Sequence, residues 1–239
     1  MVLTAHQPVY LPWLGLFHKI SQADTFVSFD RVQYLPKDWN NRNRIKTANG
    51  PVWLSVPVLK KGHRDKALNE IEIDNRSSWR RKHWRTLESS YRKAPYFADY
   101  RHFFEDLYSR EWTHLAELND HILRWFLGVL GIGTQFTRAS DHDFQGAKSE
   151  LVLDMCRSLH ADRYIFGALG RDYAEVDGFT NAGIEVVFQE YEHPTYPQLH
   201  GTFEPSMSTV DLLFNCGDES LEILTGGQPE QVVINAPVG

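Results

Sequence analysis

LTAHQPVYLPWLGLFHKISQADTFVSFD, residues 3–30, is the stretch whose reading decides the fold. Its opening LTAHQP is a short apolar run that closes on a proline, as a buried strand running into a loop does. Trp13, Leu14, Phe17 and Ile20 then recur at three- and four-residue spacing, which predicts an amphipathic helix from about Pro12 to Gln22 with the proline at its start. TFVSFD follows as a second strand. Strand, polar loop, helix and strand within some thirty residues is the βαβ unit of a parallel sheet, so the expected class is α/β with a mainly parallel, Rossmann-like sheet.

Beyond Asp30 the chain turns polar and aromatic through RVQYLPKDWNNRNRIKTANG, residues 31–50, before an apolar strand, VWLSVPV. We read residues 31–50 as an ordered functional loop, anchored by Tyr34 and Trp39. An α-helical insertion is expected at about 76–131, with helices over Arg76 to Lys93, Phe97 to Tyr108 and Leu115 to Leu130, the last ended by Gly131. Alternation then returns: FTRA, a helix from about Lys148 to His160, RYIFG, IEVVFQ, and a short helix opening near Ser208. Ser208 is the expected N-cap, Asp211 completes something close to a capping box, and Gly217 is the stop. No repeat or flexible linker divides the chain, so residues 1–239 read as one α/β domain.

With 42% hydrophobic residues, 239 residues suffice for a proper core. The two cysteines, Cys156 and Cys216, stand in no CxxC spacing and imply a reducing compartment. No basic leader followed by an apolar run opens the chain, and no stretch is long and apolar enough to span a membrane, so a cytoplasmic protein is expected. The net charge of −6 is uneven: residues 37–93 carry 15 Lys/Arg against 6 Asp/Glu, which leaves −15 elsewhere. A basic segment on an acidic protein suits one anionic ligand or an acidic carrier protein, not DNA; on Arg76 to Arg85 it is equally the solvated face of a helix.

Three polar clusters sit beside apolar runs. The first is His6, Gln7 and Tyr10, with His18 and Lys19 on the helix that follows. Ligands of parallel sheets gather at the carboxyl ends of strands and at the next helix N-terminus, where His6 falls. The second is Asp30, Gln33 and Tyr34, continuing into Asn40, Asn41, Arg42, Asn43, Arg44 and Lys46. If the first two strands are neighbours, Asp30 and His6 share one crevice, and a carboxylate beside an imidazole raises its pKa and orients it as a general base. The Asn and Arg side chains offer multidentate donors for carboxylate, phosphate or sugar hydroxyls. The third is Tyr191, His193, Tyr196 and Gln198, delivered by a late strand to a loop. A His or Asp at a strand end is also an ordinary turn or cap residue. His63, His83, His102, His114 and His142 are scattered and read as surface or core residues. There is no GxSxG elbow, Walker A sequence, GxGxxG or HExxH. A metal is not expected, although His6, His18 and Asp30 have the ligand types of an unusual site.

Three long motifs carry a resemblance: AHQPVYLPWLGLFHKISQADTFVSFDRVQY, then NNRNRIKTANGPVWLSVPV, and YEHPTYPQLHGTFEPSMSTVDLLFNCG. In order and spacing they resemble the WbqC-like protein family from about Leu3 to Leu224. That family is known chiefly from bacterial gene clusters for O-antigen and other surface polysaccharides, and some members have been proposed to transfer glycine to a sugar. The family's distinctive polar positions correspond here to His6, Gln7, Tyr10, His18, Lys19, Asp30, Gln33, Tyr34, Asn41, Arg42, Asn43, Lys46, His193, Tyr196 and Gln198. One departure is Phe166-Gly167, where many relatives carry Ser-Gly.

The resemblance implies an acyl or aminoacyl transferase acting on an amine or hydroxyl acceptor such as an amino sugar, in surface-polysaccharide or specialised-metabolite biosynthesis. In that reading His6 is the general base, Asp30 orients it, His18 and His193 join the catalytic set, and the Asn/Arg loop binds acceptor or donor. No tightly bound cofactor is expected; the donor is an aminoacyl adenylate, an acyl-coenzyme A, a carrier-protein thioester or an aminoacyl-tRNA. No cysteine stands in a nucleophile motif, which favours direct attack over an acyl-enzyme. Two other readings stand beside it. The first βαβ unit also resembles nucleotidylyltransferases and class I synthetases, although His6 and His18 lie twelve residues apart and form no compact HxGH motif. The other is a non-catalytic assembly protein that recognises an acidic carrier through residues 37–93.

Overall fold

A computed structural model describes residues 1–60, 62, 65–226 and 232–235. The opening stretch forms strand β1 (Val2–His6), helix α1 (Leu14–Ser21) and strand β2 (Thr25–Ser28), with β1 and β2 parallel and His6 opposite Ser28. Further strands are β3 (Arg42–Thr47), β4 (Gly50–Ser55), β5 (Gln135–Arg138), β6 (Arg163–Phe166), β7 (Glu185–Phe188) and β8 (Val232–Asn235). The main sheet runs β5-β2-β1-β6-β7-β8; its first five strands are parallel and β8 is antiparallel to β7. The fold is therefore α/β and Rossmann-like. Since β2 and β5 extend the sheet on one side of β1 while β6 and β7 extend it on the other, the strand order reverses between β1 and β6. An open parallel sheet leaves its ligand crevice at such a point.

Helices α2 (Trp79–Tyr91), α3 (Phe97–Ser109) and α4 (Leu115–Val129) lie between β4 and β5, at the place where periodicity puts three helices. Shorter helices follow as α5 (Lys148–Ser158), α6 (Val176–Asn181), α7 (Thr209–Cys216) and α8 (Ser220–Thr225). One apolar cluster joins Phe17 and Ile20 of α1 to Phe26, Phe104, Phe126, Phe214 and Leu224. A second joins Leu3, Ala5 and Val27 to Val152, Met155 and Cys156 of α5 and Phe179 of α6. Two apolar clusters around one parallel sheet fit the layering in which helices cover both of its faces.

The Asn/Arg-rich stretch departs from expectation: residues 42–47 are not loop but strand β3, paired antiparallel with β4. Its buried alternate positions are Asn43 and Ile45, and a polar inward residue hides the period-2 signal. Asn43 is accommodated because its amide nitrogen donates to Leu11 O (2.5 Å) and its oxygen accepts from Arg44 N (2.7 Å). Ser208 does cap α7, with Val210 N donating to its hydroxyl at 3.3 Å. Asp211 does not complete a capping box, since its carboxylate turns away to side chains of α2 and of the 196–198 loop.

Candidate functional site

A crevice of about 490 Å³ opens at the carboxyl ends of β1 and β6, where the strand order reverses. His6, Gln7, Trp13, Lys19, Gly167 and Gln189 are among its lining residues, with Trp39, Asn40 and Tyr191 alongside. The sequence places His6 here because β1 ends on it, and Lys19 because the helix that returns over the sheet carries its side chain toward the same edge.

Burial lowers the pKa of both basic groups on the floor. The His6 Nδ1–H donates to the Gln7 carbonyl at 2.8 Å, the only assignment that acceptor allows, so Nε2 keeps its lone pair. Burial, and then the nearby Lys19, push the His6 pKa down to about 4, so the imidazole is neutral at pH 7. Lys19 is 3% exposed, donates to the Ala5 carbonyl at 2.8 Å, and is lowered by burial to about 7.

One wall is aromatic. Trp13 meets His6 edge-on at 5.3 Å, Trp39 lies 5.7 Å from Trp13, and Trp53 5.4 Å from Trp39, with the Arg42 guanidinium over Trp53 at 4.4 Å. Such faces suit a sugar ring or another flat, partly apolar group. Tyr191 packs against α1 where only glycine fits, since a Cβ on Gly15 would come within 2.9 Å of its ring. The buried Tyr191 hydroxyl has no partner among the described residues. Asn40 donates to Gln7 Oε1 (3.2 Å) and Pro8 O (3.0 Å), fixing the turn after β1. Gln189, Trp13 and Gly167 are lining residues that the sequence reading does not assign to substrate. Gln189 has a usable signal: it follows β7 just as Gln7 follows β1, at the carboxyl end of a parallel strand.

Other candidates lie elsewhere. Asp30 does not orient His6: its carboxylate accepts from Ser140 N (2.9 Å) and Ser140 Oγ (2.5 Å), capping the turn after β5. The reason is topological, for β2 stands between β1 and β5 and the chain leaving Ser28 bends toward β5. Asp30→Ala is therefore expected to cost about 1–2 kcal/mol in urea denaturation, as loss of a cap does, with ligand response in the crevice unchanged. His18 stands behind the lining: its Nδ1 accepts from Gln189 Nε2 at 2.7 Å, its Nε2 lies 2.9 Å from the Gln22 amide, and its ring packs on Tyr191 at 5.0 Å. It positions Gln189 and Tyr191.

Tyr10 points into the helical layer, where its hydroxyl meets His83 Nδ1 (2.8 Å) and the Tyr108 hydroxyl (2.5 Å). Burial lowers the His83 pKa to about 4. Below pH 6.5 the unfolded histidine takes a proton that the folded one refuses until about pH 4, so this group makes stability fall as pH falls through that window. Over pH 6.5 to 4 the wild type should lose up to about 1.4 kcal/mol per pH unit more than His83→Gln, read from urea midpoints.

Lys46 of the second cluster and Tyr196 and Gln198 of the third belong to a separate network around the buried Asp211. Lys46 donates to Gln198 Oε1 (3.1 Å) and Thr202 O (2.5 Å), and Gln198 Nε2 donates to Asp211 at 2.7 Å. Tyr196 donates to the same carboxylate at 3.0 Å. His193 spends both nitrogens locally: Nδ1–H donates to Pro194 O (2.8 Å) and Nε2 accepts from Ser206 N (3.2 Å). Asn41 donates to Val56 O at 2.8 Å, and the Arg42 guanidinium donates to Lys37 O. Gln33 is exposed and Tyr34 buried, in the chain that pairs with residues 66–67. The three clusters thus converge only in part: His6, Gln7, Lys19, Asn40 and Tyr191 share the crevice, whereas Lys46, Tyr196 and Gln198 tie the β3–β4 hairpin and the 190s loop to α7.

Among the described residues no three His, Cys, Asp or Glu side chains are grouped to hold a metal, and His6, His18 and Asp30 each face other partners. No helix among them is long and apolar enough to cross a membrane. His63, with Lys61 and Arg64 of the basic segment, lies outside the described residues. The rest of that segment is dispersed: Lys46 is buried, Arg76 pairs with Asp74 at 2.7 Å and Arg80 with Glu111 at 3.5 Å, while Arg81, Lys82 and Arg85 are exposed on α2.

A Rossmann-like sheet with a histidine and a buried lysine at its switch point defines an α/β protein with a crevice at the carboxyl ends of its central strands. The chain belongs to the WbqC-like protein family, whose model matches residues 7–223. It is similar to the uncharacterized protein Rv1507c of Mycobacterium tuberculosis (strain ATCC 25618 / H37Rv), 37% identical over 220 residues that cover 91% of this chain and 95% of that one. No solved structure gives a significant match.

Proposed function

We propose that the crevice is the active site of an acyl or aminoacyl transferase whose acceptor is a small amine or hydroxyl compound such as an amino sugar. The observation that carries this reading is the neutral His6, whose Nδ1–H is fixed on Gln7 O and whose Nε2 is left to accept a proton in a crevice walled by Trp13 and Trp39. The acceptor's nitrogen or oxygen attacks the donor's acyl carbon. His6 Nε2 takes the proton released as that bond forms, and returns it to the donor's leaving group as the old acyl bond breaks. Tryptophan faces hold the acceptor's ring, and Gln7 Nε2 as donor and Gln189 Oε1 as acceptor meet its polar rim, their other amide atoms being engaged by Asn40, Gly15 and His18.

A second reading is favoured by one feature: α1 begins at the crevice with no side chain capping its N-terminus, and the positive end of a helix suits a phosphate. In that reading the enzyme is nucleotidylyltransferase-like or adenylate-forming. A thermal-shift screen of nucleotides, nucleotide sugars, coenzyme A, aminoacyl-adenylate analogues and amino sugars separates the two, because specific binding stabilises the native state by mass action. Stabilisation by an acyl donor or amino sugar, lost in Trp13→Ala, supports transfer. Stabilisation by nucleotides alone supports the second reading. Silence across the panel sinks both and turns attention to an assembly role read through the exposed basic residues of α2.

A further inference from the structure

We propose that the crevice grips its ligand by an oxyanion, a carboxylate or a phosphate, seated on the Lys19 ammonium beside Gly167. The inference rests on the crevice being a ligand site and adds the chemistry that the ligand must carry. Lys19 is buried, and its ammonium has three donors but meets one acceptor, Ala5 O. Among the described residues no carboxylate stands within ion-pair distance of it, whereas Arg138 has the buried Asp120 at 2.6 Å. Burying an ammonium with two donors unmet is costly, and ordinary protein interiors pair such a group or neutralise it. A ligand oxyanion supplies the missing partner.

The space is there. Gly167 carries no side chain, and a Cβ built on it meets nothing within 4 Å except Lys19 Nζ, at 3.9 Å. An oxygen at hydrogen-bond distance from Nζ therefore has room beside the Gly167 backbone. Lys19 is the one Lys or Arg side chain among the described lining residues, so the anion has a single seat. The other titratable groups facing the crevice are His6 on β1, Asp38 in the loop before β3, Tyr164 on β6, Tyr173 in the turn after it, and Tyr191 after β7. Of these Asp38 is the one carboxylate, and its Oδ1 is engaged by Trp39 N at 2.7 Å. The amino end of α1 adds positive potential from the opposite end of the same helix.

The test uses the full chain in sodium phosphate and in sodium acetate, each against sodium chloride at matched ionic strength. Wild type should gain about 3–10 °C in Tm at ten to a hundred times the dissociation constant of the effective anion, and saturate. Lys19→Met should show no anion response and should melt higher than wild type in chloride, because a buried unpaired cation gives way to a hydrophobe of similar length. A purely structural lysine would make that variant melt lower. Independently of any variant, carbamylation of Lys19 by cyanate, followed by peptide mass, should slow about tenfold at ten times that constant.

Response to phosphate but not acetate names a phosphate group; the reverse names a carboxylate. Absence of both a saturable response and protection, or an anion response retained in Lys19→Met, overturns the proposal. The two readings fail separately. Anion binding without turnover in any donor and acceptor assay sinks the transferase alone, whereas turnover with no anion effect sinks the oxyanion seat alone.

Discussion

Asp211→Ala is expected to destabilise the protein by about 3–5 kcal/mol, a fall in Tm of roughly 10 °C and a larger loss than Asp30→Ala brings. The carboxylate is fully buried, and burial raises its pKa while three donors and the nearby Lys46 oppose that rise. Tyr91 OH donates at 2.7 Å, Tyr196 OH at 3.0 Å and Gln198 Nε2 at 2.7 Å, and the Tyr91 hydroxyl in turn accepts from Lys46 N at 3.0 Å. Truncation leaves the two buried hydroxyls of Tyr91 and Tyr196 without that acceptor, each worth about 1–3 kcal/mol when unmet, and Gln198 Nε2 with Glu204 O at 3.0 Å as its remaining carbonyl. The lost contacts join α7 to α2, to β3 and to the 196–198 loop, so the damage is shared by four segments. Urea denaturation measures it, and Tyr91→Phe should cost only about 1 kcal/mol, since the acid keeps its other donors. A loss below about 1 kcal/mol for Asp211→Ala would mean that water already satisfies the site.

Loss of the imidazole is the second large effect. His6→Ala should lower kcat by about 10²–10⁴ with Tm little changed, the range for removal of a positioned general base. The side chain stands half-buried at the end of its strand, so truncation removes chemistry and little packing. The pH profile carries the sharper signature. In kcat/KM, which follows the free enzyme, activity should rise through about pH 4 as His6 gives up its proton and fall through about pH 7 as Lys19 loses the charge that seats the anion. Loss of less than tenfold in kcat, or activity that does not fall between pH 5 and 3.5 while the protein stays folded, would remove His6 from the reaction, whereas a profile flat from pH 5 to 9 would remove the charge on Lys19.

How far the chain can be read in advance differs by region. Residues 3–30 are fully legible, because apolar runs of strand and helix length alternate there around Pro8, Pro12 and Asp24 and permit only a parallel pair. The helices between β4 and β5 are legible for the same reason. Strand β3 is not, since its inward Asn43 is satisfied by Leu11 O, a partner thirty-two positions away that no local pattern announces. The site is half legible. His6, Gln7 and Lys19 follow from the rule that ligands meet the carboxyl ends of parallel strands, and the same rule reaches Gln189 once β7 is seen beside β6. Asp30 misleads because strand adjacency fixes only that His6 faces Ser28; the direction the chain takes after Ser28 belongs to the position of β5. Tyr196, Gln198 and Lys46 mislead because a buried polar network and a binding site use the same residue types, and only burial beside Asp211 tells them apart.

The crevice has a floor and a rim of different origin. His6 and Lys19 hang from the central strand and its helix, whereas Leu169 and Tyr173, 77% and 44% exposed, belong to the turn Ala168–Asp172 and the residue after it, and Asp38 and Trp39 to the loop ahead of the hairpin. Such a division separates what can vary from what cannot: turns can lengthen, shorten or exchange side chains without disturbing the strand and helix that hold His6 and Lys19. The Phe166-Gly167 pair sits at the seam between those parts: Phe166 ends β6 in the core, and Gly167 opens the turn within reach of Lys19 Nζ.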